Sequence, residues 1–176
     1  MGENILAGFK FFSEVAPETL EKIAQKTELL EFAPDDVIFK YDEPAEHLYG
    51  LLEGEVDLSL VFTDKVLKTD IEYEESIQAS MVDEEKSIVI DTVSPNQIFG
   101  WASLVGPARR TVTAGCTENC RVVAIAAADL KAMFDQDHHL GFVLMKKLSD
   151  IIAKRLKVRT DKLIETWVEA FDGDTI

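Results

Sequence analysis

The 176-residue chain is long enough for one domain with a sizeable core and a few flanking helices. Its 47% hydrophobic and 29% charged residues are a globular balance, and no apolar run approaches the roughly 20 residues of a membrane span. Eighteen Lys and Arg stand against 33 Asp and Glu, a formal net charge of −15, so the molecule as a whole repels nucleic acid.

The first dozen residues carry Glu3 and spaced apolar positions, which is not a signal peptide, and Leu6 stands where a myristoylation signal has Ser or Thr. Two cysteines, Cys116 and Cys120, make no disulfide framework, so the expected compartment is the cytoplasm. From Ile5 to Leu30, Leu6, Phe9, Phe12, Leu20, Ile23 and Ala24 recur at helical spacing, with a break and restart at Ser13, Pro17 and Glu18. Residues 1–31 therefore read as N-terminal helices.

From Phe32 to Ile125 the period is that of strands. Asp36–Phe39 and Leu48–Leu52 are short apolar runs, and Val56, Leu58 and Leu60 alternate with Asp57 and Ser59. The stretch 63–87 is acidic, with Glu72, Glu74, Glu75, Asp83, Glu84 and Glu85. It reads as an exposed irregular excursion between two strands, with one short segment around Ile77–Met81. Ser87–Asp91 resumes the strand pattern, then a Ser94–Asn96 turn, Ile98–Gly100, Arg110–Ala114, a turn at Gly115–Asn119, and Cys120–Ile125. Many short strands between turns make residues 32–126 a mainly β sandwich, jelly roll or roll.

Helix returns at Ala127–Asp135 and from about His139 to Glu169, within a C-terminal helical region 127–170 followed by a tail, 171–176. In the second helix Leu140, Leu144, Leu148, Ile152 and Leu156 recur every four residues. A helix of roughly 30 residues spans about 45 Å, more than a small domain buries alone, so part of it should pack on a second copy in a homodimer.

Taken in order, these pieces resemble the cyclic-nucleotide-binding domain family, which includes catabolite-activator-type regulators and kinase regulatory subunits. The resemblance runs from about Leu6 to Leu163. Phe32–Val56 matches the family's opening strands, with Asp35-Asp36 in place of the usual Pro-Gly partner and Gly54 at the turn into the next strand. Phe99-Gly100, then Ala102, Leu104 and Arg109-Arg110-Thr111-Val112, resembles the family's phosphate-binding cassette. The resemblance implies a β-roll (a double-stranded β-helix or jelly roll) with N-terminal helices and a long C-terminal helix.

The cassette makes physical sense. Gly100 lets a ligand approach the backbone, and the N–H groups around Trp101, Ala102 and Ser103 point at an anion. An arginine adds a charge-assisted bond. Two departures bear on the ligand. Trp101 stands where the family has a glutamate for the ribose hydroxyl, and an indole only donates. The loop is also about two residues short, so a gap-free count puts Ala108 at the arginine position. Strand alternation lets at most one of Arg109 and Arg110 face the pocket, and sliding the register by one selects Arg109. A working anion site and a vestigial one filled by Trp101 both stay open.

The resemblance also implies apolar ligand contacts at Leu58 and Ile90, and lid contacts at Arg159 and Thr160, where Val158-Arg159-Thr160 resembles the covering stretch of catabolite-activator-type proteins. The basic residues between Lys146 and Lys162 offer an electrostatic match to the acidic stretch, although exposed pairs contribute little.

A cupin-type metal site needs two or three converging histidines, whereas His47 is alone and His138-His139 open a helix. A lone His47 is a poor haem ligand, and two cysteines cannot hold an iron–sulfur cluster. With no Ser/His/Asp set or Walker-type loop, no catalytic residue is expected. Only six residues follow Ala170, too few for the DNA-reading module of the family's regulators. The expectation is a stand-alone, non-enzymatic dimeric sensor for a cyclic nucleotide (cAMP or cGMP) or another small phosphate-bearing ligand, signalling through its last helix. The alternative is a non-binding dimerisation scaffold, and a redox or haem sensor is a third reading.

Overall fold

The computed structural model describes residues 5–73, 76–106 and 108–172, with the side chains of 63–85, 166 and 169–172 left aside. A 3-10 turn at Lys10–Phe12 and helix α1, Pro17–Ala24, lead into strand β1, Thr27–Phe32. Then come β2 (Val37–Phe39), β3 (His47–Glu53), β4 (Val56–Tyr73), β5 (Ser76–Val93), β6 (Ile98–Phe99), a 3-10 turn at Trp101–Ser103, β7 (Thr113–Cys116) and β8 (Cys120–Ala126). Helices α2, Ala127–Gln136, and α3, His138–Asp172, close the chain.

The strands form two four-stranded sheets, ordered β1-β8-β3-β6 and β2-β7-β4-β5, with antiparallel pairing throughout. This is the β-roll that the sequence implies. Strand alternation divides the apolar residues between two cores. On β8, Cys120, Val122 and Ala124 point into the roll, where they meet Phe39, Tyr49, Leu51, Leu58 and Phe99. Val123 and Ile125 point the other way, under Phe9, Phe12, Ile23, Leu130 and Leu144 of the helical layer. Gly50 on β3 shows how close that layer sits: a Cβ there would lie 2.6 Å from the Phe9 ring.

Three expectations need correction. Residues 27–32 form a strand and not helix. Thr27–Phe32 pairs residue for residue with Ile125–Cys120, and this long-range ladder overrides the local helical spacing. Residues 63–87 are not an irregular excursion, because β4 and β5 continue their pairing through this stretch in an extended hairpin. The acids had hidden the strand formers Val66, Thr69, Ile71 and Tyr73. The turn at 74–75 and the proposed match of this stretch to the basic helix lie outside the described residues and side chains. Strand β7 begins at Thr113 rather than Arg110, for reasons that belong to the loop before it.

Helix α3 has 35 residues, about 52 Å at 1.5 Å each. Asp137 caps its start, its Oδ1 accepting from the N–H groups of His139 and Leu140 at 3.0 and 3.1 Å. Leu140, Leu144 and Leu148 are buried, but Leu156, Leu163, Ile164 and Trp167 are more than half exposed. No helix among the described residues is long and apolar enough to cross a membrane.

Candidate functional site

The site begins inside the roll. Phe99 enters from β6 and stacks on Tyr49, ring centroids 5.4 Å apart, and on Phe39 at 6.1 Å. The chain then turns at Gly100, whose φ of 74° lies in the left-handed region. A Cβ there would be 2.8 Å from Arg110 Nη1 and 3.0 Å from Tyr49 Cδ2. The 3-10 turn of Trp101, Ala102 and Ser103 follows. Ser103 is buried and its hydroxyl donates to the Gly100 carbonyl at 3.1 Å. The N–H groups of Trp101 and Ala102 open the turn, where no carbonyl of the turn itself can accept them.

The return limb passes Gly106 at φ 77° and Ala108 at φ 53°. It then runs beside residues 42–45. Ala45 N–H donates to the Ala108 carbonyl at 2.7 Å, and Arg110 N–H to the Glu43 carbonyl at 2.8 Å. These bonds, with the bridge between Pro44 and Arg109, fix the facing of both arginines.

Of the pair, Arg110 turns inward and Arg109 outward. The selection of Arg109 by register is therefore not the geometry found. Ala108 in the left-handed region rotates the limb, and Arg109 forms a two-pronged exposed pair with Asp42, Nε–Oδ1 2.6 Å and Nη2–Oδ2 3.0 Å. That pair holds the Asp42 carboxyl below its ordinary range, chiefly through the Arg109 hydrogen bond.

Arg110 is 3% exposed. Its Nη1 donates to the Gly100 carbonyl at 2.9 Å and its Nη2 to the His47 carbonyl at 3.1 Å. The guanidinium lies 4.1 Å from the Phe39 ring centroid and 5.3 Å from that of Tyr49. Burial pulls its pKa down. Among the described residues its Nε has no hydrogen-bond partner, and it forms no ion pair with a carboxylate.

The second wall is α3. Arg155 sits over Trp101, 4.7 Å from the ring centroid, and donates through Nη2 to the Ile98 carbonyl at 3.2 Å. Its Nη1 is 3.4 Å from Asp91 Oδ2 on β5, and Arg159 Nη2 reaches the same oxygen at 3.5 Å. Burial lowers the Arg155 pKa, and Asp91 opposes it. Arg155 Nη1 and Arg159 Nε are buried without a hydrogen-bond partner among the described residues.

The other expected residues divide. Leu58 is buried inside the roll, and Ile90 is the half-buried extra residue of a β-bulge between Val89 and Asp91. Arg159 reaches Asp91 beside Arg155. Thr160 does not: it is exposed and its hydroxyl donates back to Leu156 of its own helix at 2.9 Å. Thr111 is exposed on the return limb. Sequence reasoning missed Arg155 and Asp91. The signal for Arg155 was its place four residues before Arg159, on the same helix face. Among the described residues no His, Cys, Asp and Glu group could hold a metal.

Residues 76–137 match the family model of the cyclic nucleotide-binding domain. A solved structure of Geobacter metallireducens, described by a cyclic nucleotide-binding function, shares 31% identity over 89% of this chain and 98% of its own, with a TM-score of 0.63. The catabolite activator protein of Thermus thermophilus is 18% identical, over 89% of this chain and 62% of its own, with a TM-score of 0.59. The regulatory domain of Toxoplasma gondii PKA, solved with cAMP, is 16% identical over 73% and 41%, with a TM-score of 0.52. At those identities the latter two show the fold. Among curated proteins none matches this sequence.

Proposed function

Because the chain belongs to the cyclic nucleotide-binding domain family, we propose that it is a non-catalytic regulatory domain that binds a small phosphate-bearing ligand at the Gly100–Ser103 turn and passes that event to α3. The observation that carries this reading is Arg110. A cation buried beside Gly100, held by carbonyls and aromatic rings and by no carboxylate, is costly unless an anion completes it. A phosphate at the turn supplies that anion and accepts from the N–H groups of Trp101 and Ala102. Leu58 and Ile90 offer the apolar contacts.

Trp101 changes what the ligand must present. With no carboxylate next to Gly100, recognition rests on the phosphate and on stacking rather than on a ribose hydroxyl. Cyclic nucleotides, cAMP and cGMP among them, remain the first candidates by kinship. The route outward is short, since a ligand that moves the Trp101 ring also moves the partner of Arg155. The exposed apolar half of α3 supports a homodimer built on that helix.

A second reading has its own observation. Arg110 already makes two hydrogen bonds to the chain and Trp101 already stacks under Arg155, as in a self-filled site kept as a dimerisation scaffold. Thermal unfolding with cAMP, cGMP, a cyclic dinucleotide and phosphate metabolites, each at millimolar concentration, separates the two. Ligand at 100 times its Kd adds about 2.7 kcal/mol, a rise of several degrees. A rise with one compound is expected, and a flat midpoint with all of them would leave the scaffold.

A further inference from the structure

Arg155 has a second side. The 3-10 turn Lys10–Phe12, the β5–β6 turn and α3 line a solvent-open pocket of about 260 Å³. Its ionisable lining is wholly cationic, namely Lys10, Lys154 and Arg155, in a chain whose acids outnumber its bases 33 to 18. Neither lysine side chain has an ion pair or hydrogen bond among the described residues. Arg155 adds a guanidinium that is already shared with Asp91, its Nη1 3.4 Å from Asp91 Oδ2. The floor is apolar, with Phe11 buried and Ile151 half-buried, and the Asn96 and Gln97 amides stand at the rim.

From this lining we infer that the pocket is a second binding site, for a small amphiphilic oxyanion: one ring or short alkyl chain carrying a phosphate, sulfonate or carboxylate. The two lysines without ion pairs among the described residues, Lys10 and Lys154, match the head group, and Phe11 with Ile151 match the body. A volume of this order admits a single ring with its head group. The site stands apart from the cassette and does not require a ligand there. The two share Arg155, whose guanidinium also covers Trp101, so an occupant would bear on the cassette by reciprocal coupling.

The test is a calorimetric titration of the full chain with phenyl phosphate, with inorganic phosphate as the comparison. Saturable binding of phenyl phosphate is expected, with inorganic phosphate at least fivefold weaker for want of an apolar body. The double variant K10E/K154E, at two exposed positions, should lose at least tenfold in phenyl phosphate affinity with an unchanged circular dichroism spectrum. A control with two exposed lysines reversed elsewhere, K131E/K146E, should stay within twofold of the parent. Failure of phenyl phosphate to saturate, equal affinities for the two probes, a K10E/K154E chain that binds like the parent, or an equal loss in the control would each overturn the site.

Discussion

Arg110 Nη1 donates to the Gly100 carbonyl at 2.9 Å, and the same nitrogen lies 2.8 Å from where a Gly100 side chain would begin. The glycine and the arginine are therefore one device: the missing Cβ makes room for a buried guanidinium, and the guanidinium bonds the turn that carries the Trp101 and Ala102 amides.

Gly100→Ala should strain both parts. A left-handed alanine costs about 1–2 kcal/mol, and displacing Arg110 adds to it, for roughly 2–4 kcal/mol in all. Urea unfolding measures this. A loss under about 0.5 kcal/mol would mean that the turn relaxes freely.

Arg110→Met sets two terms against each other. It orphans the Gly100 and His47 carbonyls, at about 1–3 kcal/mol each, and it relieves the chain of a buried cation with no carboxylate, worth several kcal/mol. The unliganded variant should thus unfold within about 1 kcal/mol of the parent yet lose all ligand-dependent stabilisation. A large loss of unliganded stability would instead make Arg110 a structural brace.

The exposed apolar residues of α3 should meet a second copy. Sedimentation should give a dimer at micromolar concentration, and L163E/W167E should give a folded monomer. A monomeric parent chain would refute the dimer.

Cys116 and Cys120 are buried, free thiols, and Cys120 Sγ donates to the Glu55 carbonyl at 3.2 Å. Burial, aided by the Cys120 thiol, pushes the Cys116 pKa from 9.0 up to about 12. Between those values the unfolded chain has released its proton and the folded chain has not, so stability falls as pH rises through this window. Urea midpoints between pH 8 and 11 should fall less steeply in Cys116→Ala than in the parent. Parallel slopes would contradict the assignment.

The roll was legible where one strand face is buried and the other is not, as at Val56 and Leu58 beside Asp57 and Ser59, and where a short apolar run is buried on both faces, as along β8. Strand β1 was not, since its partner β8 lies some 95 residues away in sequence and only that pairing settles the conformation of Leu29 and Leu30. The tight turn expected at Phe99-Gly100 is present, with Gly100 in the left-handed region and a 3-10 turn at Trp101–Ser103. The facing of Arg109 and Arg110 was not legible, because alternation says that they oppose and leaves open which one turns in. That choice depends on φ at Ala108, a residue with no local preference for the left-handed region.

The most direct test of the central claim uses Trp101 itself. The chain has two tryptophans, so Trp167→Phe leaves Trp101 as the single tryptophan, excited selectively over tyrosine, under Arg155 and next to Gly100. Titrating that chain with cAMP, cGMP, a cyclic dinucleotide and phosphate metabolites should give a saturable change in Trp101 fluorescence with one of them, and Arg110→Met should abolish it. Unchanged emission with every compound at millimolar concentration would contradict a ligand at this turn.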